Sequence, residues 1–255
     1  MISGCVCLPV MFMTSGGIYI FRQCLYLPAV FFLPAVFPHP GGKMEISMKR
    51  ILCYGDSNTW GYRPIEGTRY DSETRWPARL QKLTGWEVAE EGLNGRTTIF
   101  FGEDEHYRCG LDFVETCVKS HLPLDMIAVM LGSNDTKTRY HASAADITAG
   151  MEHIIDRMRE CCEEKDQHPA ILLISPPMLH VGAFSDFDPD SEQKIREIET
   201  LYESLAAEKH CLFLRGSAVI TDIGADGLHM TPQGHAALAA AAADIILSGE
   251  SADLY

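Results

Sequence analysis

A serine, a histidine with a carboxylate close by, an asparagine and a glycine are the residues of this chain through which nucleophilic chemistry could run. The serine is Ser57, at the end of the run Ile51-Leu52-Cys53-Tyr54-Gly55-Asp56-Ser57. A serine hydroxyl is a weak nucleophile until a neighbouring base takes its proton. That base is available in Asp222-Ile223-Gly224-Ala225-Asp226-Gly227-Leu228-His229-Met230-Thr231-Pro232. Asp226, placed before His229 and across Gly227, can fold back onto the imidazole and hold one tautomer. Donors for a developing oxyanion are offered by Gly95, within Glu91-Gly92-Leu93-Asn94-Gly95-Arg96-Thr97-Thr98, and by Asn134, within Leu131-Gly132-Ser133-Asn134-Asp135-Thr136. Each also has an ordinary structural reading: a Gly-Asp-Ser turn or helix cap, an Asx-turn, a glycine loop, and one histidine among ten.

The elements around these residues place them all at one end of a sheet. Ile51 to Tyr54 is an uninterrupted apolar run closed by Gly55, as expected of a parallel strand covered on both faces. Further strands are predicted over Trp86 to Ala89, Met126 to Leu131, Ala170 to Ile174 and Cys211 to Leu214. Helices are predicted over Arg75 to Leu83, Ala144 to Glu164, Gln193 to Lys209 and Pro232 to Leu247. Alternating strands and helices predict an α/β protein, a three-layer α/β/α sandwich on a five-stranded parallel sheet with right-handed connections. In such sheets ligands bind beyond the carboxyl ends of the strands. Ser57, Gly95 and Asn134 each follow a strand, and Thr231-Pro232 starts the last helix just after His229.

Composition narrows the partners. Of the formal net charge of −14, the residues before Met48 (Arg22, Lys43 and Glu45) contribute +1, leaving −15 on the rest. So acidic a body, with no basic patch in sequence, argues against nucleic acid and anionic lipid as partners. Nine cysteines without a C-x-x-C pair fit buried free thiols in a reducing compartment, not a disulfide framework or a zinc site.

Residues 1–47 differ from the rest. They are apolar, rich in Pro, Phe and Cys, and repeat Leu27-Pro28-Ala29-Val30-Phe31 as Leu33-Pro34-Ala35-Val36-Phe37. A signal peptide needs a basic start, but the first cation is Arg22; a membrane span needs about 20 unbroken apolar residues, but Arg22-Gln23 and two prolines interrupt this stretch. The expectation is that Met48 is the natural start, that 1–47 is an extension outside the fold, and that residues 48–255 form the domain, in the cytoplasm. Membrane attachment or export through this leader is the alternative.

The four blocks, Gly-Asp-Ser at 55–57, Gly95, Gly-x-Asn-Asp at 132–135 and Asp-x-x-His at 226–229, resemble those of the SGNH (GDSL) hydrolases in the family's order, from Met48 to the C-terminus. Gly55-Asp56-Ser57-Asn58-Thr59-Trp60-Gly61, the block at 91–98, Leu131 to Lys137 and Ser175-Pro176-Pro177 are similar to the arylesterase and acyltransferase branch. Asn58 departs from the leucine that the name GDSL implies. The resemblance implies a flavodoxin-like fold with Ser57 as nucleophile, His229 as base and then acid, and Asp226 as its orienter. The oxyanion hole would be the N–H groups of Ser57 and Gly95 with the Asn134 amide. No cofactor and no metal are implied, and a homo-oligomer is expected by analogy.

The expected reaction is hydrolysis of small-molecule, short-chain acyl esters through an acyl-enzyme, with transfer to an alcohol as its variant. A deacetylase of acetylated sugars and a non-catalytic α/β binding module are the alternatives, although the latter should lack one of the four blocks. Trp60, Phe184 and Phe187 are candidates for the pocket wall. The acidic stretch Asp186-Phe187-Asp188-Pro189-Asp190 echoes a calcium loop, but Ser191 occupies the position that demands glycine. It reads better as a solvated loop before a helix.

Overall fold

A computed structural model describes residues 9–14, 17–22, 48–182 and 186–252. The chain divides into two units, Met1–Ile46 and Ser47–Tyr255. In the first, strand β1 (Pro9–Thr14) pairs antiparallel with β2 (Gly17–Arg22).

The second unit is built on five parallel strands: β3 (Arg50–Gly55), β4 (Glu87–Gly92), β5 (Met126–Met130), β6 (Ala170–Ile174) and β7 (Leu212–Leu214). Their order is β4-β3-β5-β6-β7. The chain steps from β3 to β4 on one side and returns to β5 on the other, so the sheet's topological switch point lies between β3 and β5. Both central strands are buried on both faces. Ile51 and Cys53 pack with Trp76, Leu80, Leu238 and Ala242 on one face, while Leu52 and Tyr54 pack with Val114, Ile147, Met151 and Tyr202 on the other. The side-chain period of two is intact, but neither face meets water, so no polar alternation marks it in sequence.

Helices α2 (Trp76–Thr84) and α7 (Pro232–Ala252) cover the first face; α3 (Gly110–His121), α4 (Ala144–Glu163) and α5 (Pro189–Glu208) cover the second. Together with the sheet they make the expected three-layer α/β/α sandwich. Single-turn helices α1 (Ser57–Trp60) and α6 (Gly216–Val219) follow β3 and β7 directly.

Helices α3 and α5 differ from expectation in the body of the sandwich. Helix α3 has no counterpart in the sequence reading, since its buried stripe is only Val114, Cys117 and Val118 among residues of modest helix propensity. Helix α5 starts at Pro189, four residues before the predicted Gln193. Asp188 caps it in a capping box with Ser191, so the acidic stretch begins a helix. Among the described residues no group of acidic, histidine or cysteine side chains could hold a metal ion. No helix among them is long and apolar enough to cross a membrane. Cys53, Cys109, Cys117, Cys161, Cys162 and Cys211 are free thiols.

Candidate active site

Gly55 ends β3 where only a glycine fits: a Cβ there would lie 2.1 Å from Thr59 Oγ1 and 2.9 Å from the Met130 carbonyl oxygen. The chain then turns at once into α1. Asp56 is its N-cap, with Oδ1 accepting the Asn58 N–H at 2.9 Å, and Gly61 ends it in the left-handed region at φ 87°. This single turn presents Ser57 above the carboxyl edge of the sheet. The serine is nearly buried and lines a cleft of about 350 Å³.

Into the same cleft comes His229, from the loop before α7. Thr231 caps that helix, its Oγ1 accepting the Gly234 N–H at 3.3 Å. The His229 ring lies between Ser57 and Asp226: Nε2 is 2.9 Å from Ser57 Oγ and Nδ1 is 2.6 Å from Asp226 Oδ2. The second carboxylate oxygen, Oδ1, accepts the N–H groups of Leu228 and His229, both at 3.0 Å. Burial alone would raise the Asp226 carboxyl, but the His229 ring and the two N–H donors outweigh it and hold it below its ordinary value. Asp226 therefore stays ionised beside the imidazole, and the three side chains form a continuous relay.

Asn134 lies beyond β5, in a tight 3₁₀ turn over Asn134–Thr136, and its amide Nδ2 donates to the Arg96 carbonyl at 3.1 Å. It also approaches Asp56 Oδ2 at 3.4 Å. Gly95, beyond β4, has φ 80°. Among the described residues the N–H groups of Ser57 and Gly95 have no hydrogen-bond acceptor. Ser57, Gly95, Asn134 and His229 thus line one cleft although they come from four separate loops.

A family profile described as GDSL-like Lipase/Acylhydrolase matches residues 53–237. The chain belongs to this GDSL-like family of SGNH esterases. Among solved structures it is similar to the inhibitor-bound aryl esterase of M. smegmatis, at 33% identity and TM-score 0.75 over 78% of this chain and 99% of the other. It is likewise similar to Est24, a carbohydrate acetylesterase from Sinorhizobium meliloti, at 30% identity and TM-score 0.74 over 78% and 99%. A carbohydrate acetylesterase family member from the same organism follows at 34% and TM-score 0.72, over 78% and 97%. Among curated proteins no sequence matches.

The pocket wall of this GDSL-like esterase needs correction at one position. Trp60 does not line the cleft. Its backbone is pressed against the end of β4, where a Cβ on Gly92 would lie 2.1 Å from Trp60 N, and its ring packs under the Arg69 guanidinium at 5.4 Å. Tyr62 is at the cleft instead, its ring 4.4 Å from the His229 ring. Phe187 lines the cleft as expected; Phe184 lies outside the described residues.

Sequence reasoning also passed over the residues that support the site. Asn58 grips the His229 loop, Nδ2 donating to the Leu228 carbonyl at 3.2 Å and Oδ1 accepting the Met230 N–H at 2.9 Å. Arg96 is buried over the Tyr54 ring at 4.2 Å, and its Nη1 donates to the carbonyls of Gly55 and Glu91 at the ends of β3 and β4. Asp56 and Asp135 are fully buried carboxyls, each pushed by burial up to about 6. Asp135 takes the Thr98 N–H at 2.7 Å and the Thr98 hydroxyl at 2.5 Å. The signal for Asn58 was its departure from the GDSL pattern: an amide in place of leucine, beside the nucleophile, has both a donor and an acceptor to satisfy.

Proposed function

We propose that this chain is a serine esterase that cleaves short-chain acyl esters through an acyl-enzyme. The observation that carries the reading is the unbroken relay from Ser57 Oγ through both nitrogens of His229 to Asp226, at 2.9 and 2.6 Å. His229 takes the Ser57 proton as Oγ attacks the ester carbonyl, and Asp226 stabilises the imidazolium that forms. The N–H groups of Ser57 and Gly95 and the Asn134 amide receive the negative charge on the carbonyl oxygen. His229 then returns the proton to the departing alkoxide. Water, activated by the same imidazole, attacks the acyl-serine and releases the acid. An alcohol in place of water gives acyl transfer. A cleft of about 350 Å³ suits a small acyl group.

A second reading, deacetylation of acetylated sugars, has support from the likeness to the two Sinorhizobium meliloti carbohydrate acetylesterases. It also has support from the polar lining that Asn94, Ser133 and Asp186 give the cleft. It uses the same residues and differs only in the alcohol.

The test is turnover of p-nitrophenyl acetate, butyrate and octanoate by the purified full chain beside Ser57→Ala, with a fluorophosphonate label mapped by mass spectrometry. Turnover that falls with chain length, drops by about 10⁴-fold or more in the variant, and is blocked by label on Ser57 is the expected result. No hydrolysis above the Ser57→Ala background by folded protein would overturn the reading.

A further inference from the structure

Lys137 is a cation whose position the esterase reaction leaves unexplained. It is 9% exposed, lines the cleft with Ser57, and sits 5.5 Å from the Phe187 ring. Among the described residues its ammonium makes no ion pair and no hydrogen bond. A lysine is almost never this buried unless paired, because removing an ammonium from water is expensive. The aromatic contact satisfies none of its three N–H donors. Burial accordingly pushes Lys137 below its ordinary value, and the nearby Arg139 and Arg108 push the same way.

Arg108 borders the cleft as well. A Cβ on Gly95 would lie 2.9 Å from its Nε, so the guanidinium rests directly against that glycine. Its Nη1 pairs with Glu105, while Nε is buried without a partner. Arg139 shares the same Glu105. Asp186 also faces the cleft and draws Lys137 electrostatically, without forming an ion pair with it. Glu105 pairs with Arg108 and Arg139, while Asp186 and the buried Asp56, both lining the cleft, act on Lys137 only at a distance. The one unpaired ammonium matches the single charge of a carboxylate.

We propose that Lys137 and Arg108 form an anion subsite inside the cleft, and that the ester this enzyme prefers carries a carboxylate on its acyl or its alcohol portion. The inference rests on the esterase reading above and adds a substrate class to it. The carboxylate would accept from the Lys137 ammonium, with the Arg108 guanidinium adding positive charge at the cleft wall. Ser57 would attack the ester carbonyl of the same molecule.

Two matched pairs of substrates test it. Mono-p-nitrophenyl succinate against p-nitrophenyl methyl succinate places the charge on the acyl side. 4-Acetoxybenzoate against its methyl ester places it on the alcohol side. In the full-length wild type, kcat/KM for the acid should exceed that for the methyl ester by about 10- to 100-fold in one of the pairs. Salt should shrink the ratio. Lys137→Met should reduce the ratio by about 10-fold or more, a readout from which any general loss of activity cancels. Wild-type preference for the methyl ester in both pairs, or a ratio unmoved in Lys137→Met, would overturn the subsite while leaving the esterase reading in place. Should the variant not fold, the wild-type ratios and their salt dependence decide alone. If the wild type hydrolyses p-nitrophenyl acetate but none of the four esters, the subsite falls alone; if it hydrolyses neither, the esterase reading falls with it.

Discussion

Asn58 holds Met230 by its backbone, Oδ1 accepting the Met230 N–H at 2.9 Å, and the same amide donates to the carbonyl of Leu228 at 3.2 Å. Those two residues flank His229, so one side chain next to Ser57 fixes the loop that brings the base. Leucine at this position could make neither bond and would leave the buried Met230 N–H without an acceptor. Two neutral hydrogen bonds of about 1 kcal/mol each are at stake. Asn58→Leu should therefore lower kcat on p-nitrophenyl acetate by about 10- to 100-fold with little change in KM. A purely structural Asn58 would instead show a lowered melting temperature with kcat of the folded fraction intact.

Asn134→Ala removes the one side-chain donor among the three groups proposed for the oxyanion site. Loss of a single such donor costs about 10²- to 10³-fold in kcat. The effect should fall equally on kcat and kcat/KM, because the bond strengthens only as charge develops on the carbonyl oxygen. Steady-state kinetics beside a thermal melt measures both. An Asn134→Ala enzyme within about threefold of wild type would remove Asn134 from the oxyanion site.

Gly227 separates Asp226 from Leu228 in the loop that shapes the relay. It has φ 69°, and a Cβ on it would lie 1.9 Å from the His180 carbonyl oxygen. Gly227→Ala combines a left-handed backbone with a backbone clash, so the Asp226 to His229 turn or the 180 loop must move. We expect a loss of about 2 to 4 kcal/mol, or a melting temperature lower by about 2–4 °C for each kcal/mol, together with reduced esterase activity. An alanine variant as stable and active as wild type would mean that the loop yields freely.

His235, in the first turns of α7, is fully buried; its Nδ1 accepts the Trp76 N–H at 3.3 Å and its ring meets Tyr70 edge-on. Burial above all, with Arg79 and Arg75 close by, pushes the imidazole from 6.5 down to about 3. The unfolded chain takes up this proton near 6.5 and the folded chain only near 3, so the contribution is complete above 6.5 and is lost as pH falls toward 3. One proton corresponds to about 1.4 kcal/mol per pH unit. Asp56 and Asp135, raised to about 6, act in the opposite direction, weakening the fold as pH rises from 3.8, and they cancel when two proteins differing only at His235 are compared. The difference in unfolding free energy between wild type and His235→Gln should shrink steadily from pH 6.5 toward 3, and a constant difference would contradict a neutral buried imidazole.

Apolar runs, caps and strand-end loops made much of this architecture legible in sequence. Ile51 to Tyr54 and Met126 to Met130 are continuous apolar stretches because both faces of the sheet are covered. Thr231-Pro232 announced the start of α7 through ordinary capping chemistry. Helix α3 stayed hidden because Val114, Cys117 and Val118 make a narrow stripe, completed only in three dimensions by the sheet and by α4. Trp60 was expected at the pocket wall, where Tyr62 stands. Gly61 reverses the chain in the left-handed region after one helical turn, so the residue beyond it, not the one before, reaches His229. Lys137 and Arg108 were illegible as a pair, since their meeting depends on how loops from β5 and β4 converge.

Ser57 and His229 lie 172 residues apart, joined by one hydrogen bond between the single-turn helix after β3 and the loop that leads into the last helix. A chain made at 5–20 residues per second exposes its serine roughly 10 to 30 s before its histidine exists. Throughout that interval the sheet can grow strand by strand while Ser57 remains an ordinary alcohol. Only when α7 seats against α2 does the imidazole arrive. A chain stalled short of that loop would hold the serine without its proposed base.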